Sequence, residues 1–370
     1  MANSFHKVVH GGALFALGSV SATVLQFVSG VIVIRIVAPS EFGLISIAYI
    51  TSNVLVTIAS LGLKTGVPRF LAKSRGQDAE AGVGRVAGTA IVISFSVSII
   101  FAVLQFCTAH EGAATFGKPD VQPVLEAFSL LIPPLAMIGI LSAVFRGMEN
   151  AKAKVIFQDI TTNVSRLVLL ISVVILGYGY EEILTVYVLS VWMAFIGFLF
   201  YVYRHLVKLV RLRFEASIAR SLIWFSLPLL AAGFMNNVMA WAGTLALGYL
   251  SGTADVALFN APLRLVNVIP IPLAAMIFLY LPIATTIIAR DAHDELKSLY
   301  LTTTKWAFLA TLPLLLFFVI DAEFIVRALF GEQYLGSANV LRVLAVGFSA
   351  HTLLGPNGMT LISWGDTKSV

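Results

Sequence analysis

The chain has 370 residues, of which 12% are charged and 59% hydrophobic, and its mean hydropathy is +0.94. A soluble domain carries about one quarter charged residues, so the solvent for most of this surface is lipid, which excludes a water-soluble enzyme. The basic balance, +5 with a pI near 9.3, is not that of a nucleic-acid binder, because Lys and Arg sit in short segments between apolar runs.

Ten runs approach the length of about 20 residues needed to cross roughly 30 Å of hydrocarbon. They cover 12–37, 43–63, 86–108, 123–145, 156–178, 183–203, 221–250, 255–288, 304–322 and 338–362. The first, preceded by Lys7, is too long for a signal-peptide core and reads as an uncleaved span. Pro133-Pro134 should bend the fourth. The eighth is overlong, and Pro262, Pro270, Pro272 and Pro282 predict a kink within it.

With the N-terminus inside, eighteen of the 24 Lys and Arg residues fall on inner segments and three, Lys118, Arg327 and Arg342, on outer ones. That asymmetry predicts a cytoplasmic N-terminus. The inner segments 64–85 and 204–220 interleave basic residues with Phe70, Leu71, Leu206 and Val207, a pattern suited to an anionic leaflet.

The turn through Pro39-Ser40-Glu41-Phe42-Gly43, between two apolar runs, recurs around Thr253-Ala254-Asp255 at a shift of 214. A shift of 216 likewise lays Val124-Leu125 on Val340-Leu341. These registers predict a duplicated bundle: residues 1–214 with spans one to six, and residues 215–370 with spans seven to ten. Counterparts of 155–204 would then follow Val370, so the expectation is a longer natural chain with at least two further helices.

GALFALGSVSATVLQFVSGVIVIRIVAPSEFGL, SLPLLAAGFMNN, LGYLSGTADVALFNAPLRL, ALFGEQYLGSANVLRVLAVG and the final SWGDTK resemble the polysaccharide-repeat (O-antigen type) lipid flippases of the multidrug/oligosaccharidyl-lipid/polysaccharide exporter superfamily. The resemblance extends over essentially the whole chain. It implies an all-α, polytopic integral membrane protein of two pseudo-symmetric, MATE-like bundles, each of about six helices, facing a central cavity. It further implies a plasma-membrane transporter of a lipid-linked glycan, with glycosyltransferase or glycan-polymerising membrane proteins as partners.

Enzymatic signatures are absent from the sequence. Gly82-x-Gly84-x-x-x-Gly88 follows a basic loop and opens a membrane helix, so close packing through small residues explains it better than a dinucleotide loop. Cys107, the only cysteine, allows no cysteine metal site. No cofactor or nucleic-acid partner is expected.

What remains is polar residues at membrane depth, where they are costly and usually face a bundle interior or a wet cavity. Asp159, Thr162, Asn163 and Arg166 follow the spacing of one helix face, as do Asn260, Arg264 and Asn267. Arg166 has Asp159 two turns away as an internal partner, whereas Arg264 has no acidic residue one or two turns away in sequence. Asn53 in the second span, with Ser46, Tyr49, Thr57 and Ser60, and Asn236 and Asn237 in the seventh, would complete a hydrophilic lining. Arg35 ends the first span, where snorkelling to headgroups is the ordinary role.

These residues point to alternating-access transport of a polyprenyl-(di)phosphate-linked oligosaccharide. Arginines would meet the phosphate, and asparagines and tyrosines the sugar hydroxyls. A multidrug or small-molecule exporter of the same fold and a peptidoglycan-precursor flippase are the alternatives.

Overall fold

A computed structural model describes residues 2–74, 79–207, 212–288 and 290–363, and every regular element among them is helical. The first helix, α1 (Ala2–Ile36), turns within two residues into α2 (Pro39–Ala59). Pro39 takes the first helical position, where its missing N–H costs nothing, and the Ala38 N–H donates to Glu41 Oε2 at 2.8 Å. A second hairpin repeats this device 214 residues later. There α11 (Ala216–Leu250) turns into α12 (Thr253–Val266), and the Gly252 N–H donates to Asp255 Oδ2 at 3.2 Å.

After the turn at Gly62 (φ +69°), α3 (Leu63–Ser74) continues the second span. The long α4 (Ala79–Cys107) and short α5 (Ala109–Thr115) lead to α6 (Val121–Ser129) and α7 (Ile132–Gly147), which form one bent span. The 42° bend falls immediately before Pro133-Pro134, as the sequence predicts. Pro134 has no N–H for the Leu130 carbonyl four residues back, and Trp192 Nε1 donates to that carbonyl instead at 3.1 Å.

Next, α8 (Ala151–Ala153) passes through a π-helical segment, Lys154–Thr161, into α9 (Thr162–Leu176). Gly177 closes α9 in the left-handed conformation (φ +68°), and α10 (Tyr180–Val202) follows, ending in a second π segment, Tyr203–Val207.

The eighth span is broken, as its prolines predict. The helices α12 and α13 (Ile271–Ile288) meet at 45° across residues 267–270. Pro270 cannot donate to the Val266 carbonyl, which accepts from the Ile269 N–H at 3.0 Å; the Ile269 carbonyl accepts from Thr311 Oγ1 at 3.4 Å. Thr311 lies on α14 (His293–Ile320), which is followed by α15 (Ala322–Phe330), α16 (Ser337–Leu353) and α17 (Asn357–Ser363).

Among the described residues, eight helical stretches are individually long and apolar enough to cross a membrane, and the two bent pairs bring the number to ten. Their positions match the ten runs read from sequence. Large apolar side chains stand out on the surface, Ile175 at 77% exposure and Met239 at 83%, a surface suited to lipid rather than water. The chain is a multi-pass membrane protein.

Contacts group the residues into two compact units, Met1–Val256 and Ala257–Val370. Within the first, α11 packs against α2, α3 and α4. The backbones approach closely: a Cβ on Gly62 would collide with the Ser226 carbonyl of α11, and one on Gly43 with the Thr253 carbonyl just after it. The glycines at the start of α4 serve packing too. The Arg213 N–H donates to the Gly84 carbonyl at 3.2 Å, and a Cβ on Gly88 would come within 2.7 Å of the Arg213 nitrogen. In the second unit, Tyr280, Ala284, Ile287 and Leu296 join α13 to α14, and the Tyr280 hydroxyl bonds to Thr360 Oγ1 at 2.6 Å.

Candidate functional site

Of the residues singled out in the sequence, the fifth span's group is the most deeply placed. Asn163 is 3% exposed, Asp159 7% and Arg166 9%. Arg166 lies near the middle of the span 154–176, with its guanidinium carbon 4.6 Å from the ring centroid of Tyr187 on α10. Its Nε is sealed from solvent with no hydrogen-bond partner among the described residues.

Tyr187 is held in turn by Tyr49 of α2 at 5.9 Å and Phe128 of α6 at 5.7 Å between ring centroids. Side chains of four helices therefore meet at Tyr187, the ring on which the buried cation rests.

The internal pair that the sequence allows, Arg166 with Asp159, is not the one formed. Asp159 Oδ2 pairs instead with Lys154 Nζ at 2.9 Å, and Asn163 Nδ2 donates to the Asp159 carbonyl at 2.7 Å. The expectation assumed an α-helix throughout, whereas Asp159 lies in the π-helical segment and Arg166 beyond it. Thr162, on the same stripe, donates its hydroxyl to the Phe157 carbonyl at 2.9 Å. A cation–π contact lowers the energy of a guanidinium by about 0.5–2 kcal/mol, whereas insertion of arginine at a span centre costs about 2.5–3.5 kcal/mol. Stacking on Tyr187 therefore offsets only part of the cost of burying Arg166.

The stripe on α2 has a different character. Ser46, Asn53 and Thr57 each donate to the carbonyl four residues earlier, at 2.8, 2.7 and 2.9 Å, and Ser60 donates to that of Thr57 at 2.7 Å. Through Tyr49, one turn before Asn53, the same helix reaches the Arg166 group.

Asn260 and Arg264 are half-buried on α12, within the second unit. Asn267, expected on the same helical face, falls instead in the break before α13 and is exposed, because the prolines end the helix first. Asn237 is half-buried on α11, and the side chain of Asn236 lies outside the described residues. Arg35 is exposed at the end of α1.

Sequence reasoning missed Tyr187 as the platform for Arg166 and Lys154 as the partner of Asp159. The lysine carried a signal, a spacing of five from the aspartate, but only a π turn gives that spacing meaning. Also missed was Gln105, buried in α4, whose Nε2 donates to Ser52 Oγ at 2.9 Å and to the Leu125 carbonyl at 2.7 Å.

The sequence profile of a family described as "Polysaccharide biosynthesis protein" matches residues 32–339. The chain belongs to this family. A curated relative, the teichuronic acid biosynthesis protein TuaB of Bacillus subtilis (strain 168), is 25% identical over 138 residues. That match covers 37% of this chain and 28% of TuaB.

Among solved structures, an inward-facing multidrug resistance MATE family transporter of the MOP superfamily superposes with a TM-score of 0.77 at 15% identity, over 95% of this chain and 85% of that one. A MOP superfamily transporter from Pyrococcus furiosus, described as having a binding pocket of reversed polarity, superposes at 0.64 and 16% identity, over 98% and 83%. The fold is that of the MATE-like members of the MOP superfamily.

Proposed function

We propose that this chain is a flippase that carries a polyprenyl-(di)phosphate-linked oligosaccharide from the inner to the outer leaflet of the plasma membrane, working by alternating access with its N-terminus in the cytoplasm. The family and the fold support a transporter in polysaccharide biosynthesis rather than a catalyst.

One observation carries the choice of substrate: Arg166, buried at the middle of a span and stacked on Tyr187, has no ion pair among the described residues. A phosphate supplies the missing charge through forked, charge-assisted hydrogen bonds. Asn163 and Tyr49 stand in the same packed group, and Arg264 with Asn260 offers a second cationic position on α12. An exporter of organic cations is disfavoured, because Asp159 is already paired with Lys154 and Arg166 repels a cation. Anionic lipids at the basic inner segments and glycan-polymerising or glycosyltransferase partners complete the proposal.

The test is complementation of an export-deficient strain, with each variant's membrane protein quantified. Arg166→Ala abolishes export while inserting normally. Arg166→Lys retains part of it, since an ammonium keeps the charge and loses the fork. Normal export by well-inserted Arg166→Ala would falsify the assignment of this arginine to the substrate. Strains deficient in a surface polysaccharide or in a peptidoglycan-precursor flippase separate those two cargoes.

A further inference from the structure

Asp159 and Arg166 are seven residues apart, which in a continuous α-helix puts them within about 20° of one face, two turns apart. The helix between them is not continuous. Residues Lys154–Thr161 are wound as a π-helix, whose hydrogen bonds span five residues instead of four. The side chains follow the same spacing: Thr161 Oγ1 donates to the Ile156 carbonyl at 2.7 Å and Thr162 Oγ1 to the Phe157 carbonyl at 2.9 Å.

In this winding Lys154 and Asp159, five residues apart, meet at 2.9 Å. In an α-helix they would stand about 140° apart around the axis. Eight residues is a long π segment for a conformation found mostly as single-turn bulges, frequently at functional sites.

We infer that Asp159 is a switched counter-ion for Arg166. In the π winding Lys154 holds the carboxylate away, and the charge of Arg166 is left for an anionic headgroup. Rewinding of residues 154–161 to α-helix breaks the Lys154 pair and swings Asp159 onto the face of Arg166, where it displaces the anion. The switch rests on the proposed anion-binding role of Arg166 and supplies that site with a way to release its ligand.

The surroundings are built to follow such a change. Phe157, within the π segment, stacks on Phe198 of α10 at 4.6 Å and 10°, and meets Tyr201 at 5.3 Å with the rings tilted 54°. Two residues beyond Tyr201, α10 opens into its own π segment, Tyr203–Val207. The aromatic ladder thus links two loosened windings, and one can adjust with the other.

The experiment measures binding of farnesyl diphosphate to the purified full chain in detergent, by native mass spectrometry. Wild type binds, and Arg166→Ala weakens binding by roughly tenfold or more, the loss expected for a charge-assisted hydrogen bond. Lys154→Met, which leaves the arginine in place, weakens binding to a similar extent because it frees Asp159. Adding Asp159→Asn to Lys154→Met restores wild-type binding, and thermal unfolding of the single variant in detergent, unchanged from wild type, separates the switch from a loss of folding.

Where Lys154→Met does not accumulate, Asp159→Asn alone serves: it binds at least as tightly as wild type. Undiminished binding by Lys154→Met, no rescue by the double variant, or loss of binding by Asp159→Asn overturns the switch while leaving the arginine's role standing. No binding by wild type, or undiminished binding by Arg166→Ala, overturns the anion site and the switch with it.

Discussion

Two membrane helices of this protein carry a polar stripe, and they handle it in opposite ways. Along α2 the hydroxyls and amide of Ser46, Asn53, Thr57 and Ser60 donate to carbonyls of their own helix. Along the π segment and α9, Asp159 is neutralised by Lys154, but among the described residues Arg166 has the face of Tyr187 and no ion pair. A satisfied stripe lets a helix sit in hydrocarbon, since every donor has its partner within the segment. An unsatisfied cation leaves the protein with an energetic reason to bind an anion. Polarity at membrane depth is therefore a candidate for ligand binding only where the helix cannot satisfy it from within, the ground on which Arg166 is proposed.

The sharpest way to break this comparison is Arg166→Leu. Loss of export is expected together with a gain of about 1–3 kcal/mol in stability, because the change removes an uncompensated charge from the span. Thermal unfolding in detergent beside an export assay reads both effects. A fall in stability would mean that Arg166 holds the helices together instead. On α2 the corresponding strong effect is steric. Gly43→Val pushes a side chain into the Thr253 carbonyl, and about 3 kcal/mol or more of destabilisation is expected from backbone displacement. The yield of folded protein after solubilisation measures it.

An intermediate effect belongs to Gln105→Leu, which removes the donor to Ser52 and Leu125 and should cost about 1–2 kcal/mol. Full stability in that variant would show that the bend after α6 holds without this clamp. Smallest of all is Thr57→Val, a change within about 0.5 kcal/mol, since it removes only a local bond to the Asn53 carbonyl. A large loss there would show that the α2 stripe does more than satisfy itself.

The two hairpins extend the comparison from side chains to backbone. Ala38 with Glu41, and Gly252 with Asp255, make the same N–H to carboxylate bond at a separation of 214 residues. The spans that follow differ: α2 runs unbroken to Ala59, whereas α12 gives way at 267–270. Pro270 and Pro272 account for the difference, and nothing in the hairpin itself foretells it.

By itself the sequence determined the ten spans, both proline bends, both hairpins and the family resemblance. Each is written in local features: the length of an apolar run, a missing N–H, a carboxylate three residues after a turn, a string of signature residues. It also nominated Arg264 first and Arg166 second, since a charge within an apolar run is visible without coordinates. Only the tertiary structure decided which charges were cancelled. Tyr187 comes from another helix, so no spacing along the fifth span could announce it. Lys154 reaches Asp159 because the helix is wound with five-residue hydrogen bonds there, and the choice between four and five depends on how Thr161, Thr162 and Phe157 pack and bond. Asn267 left its expected face for the same kind of reason: position along a chain converts to position in space only while the winding holds.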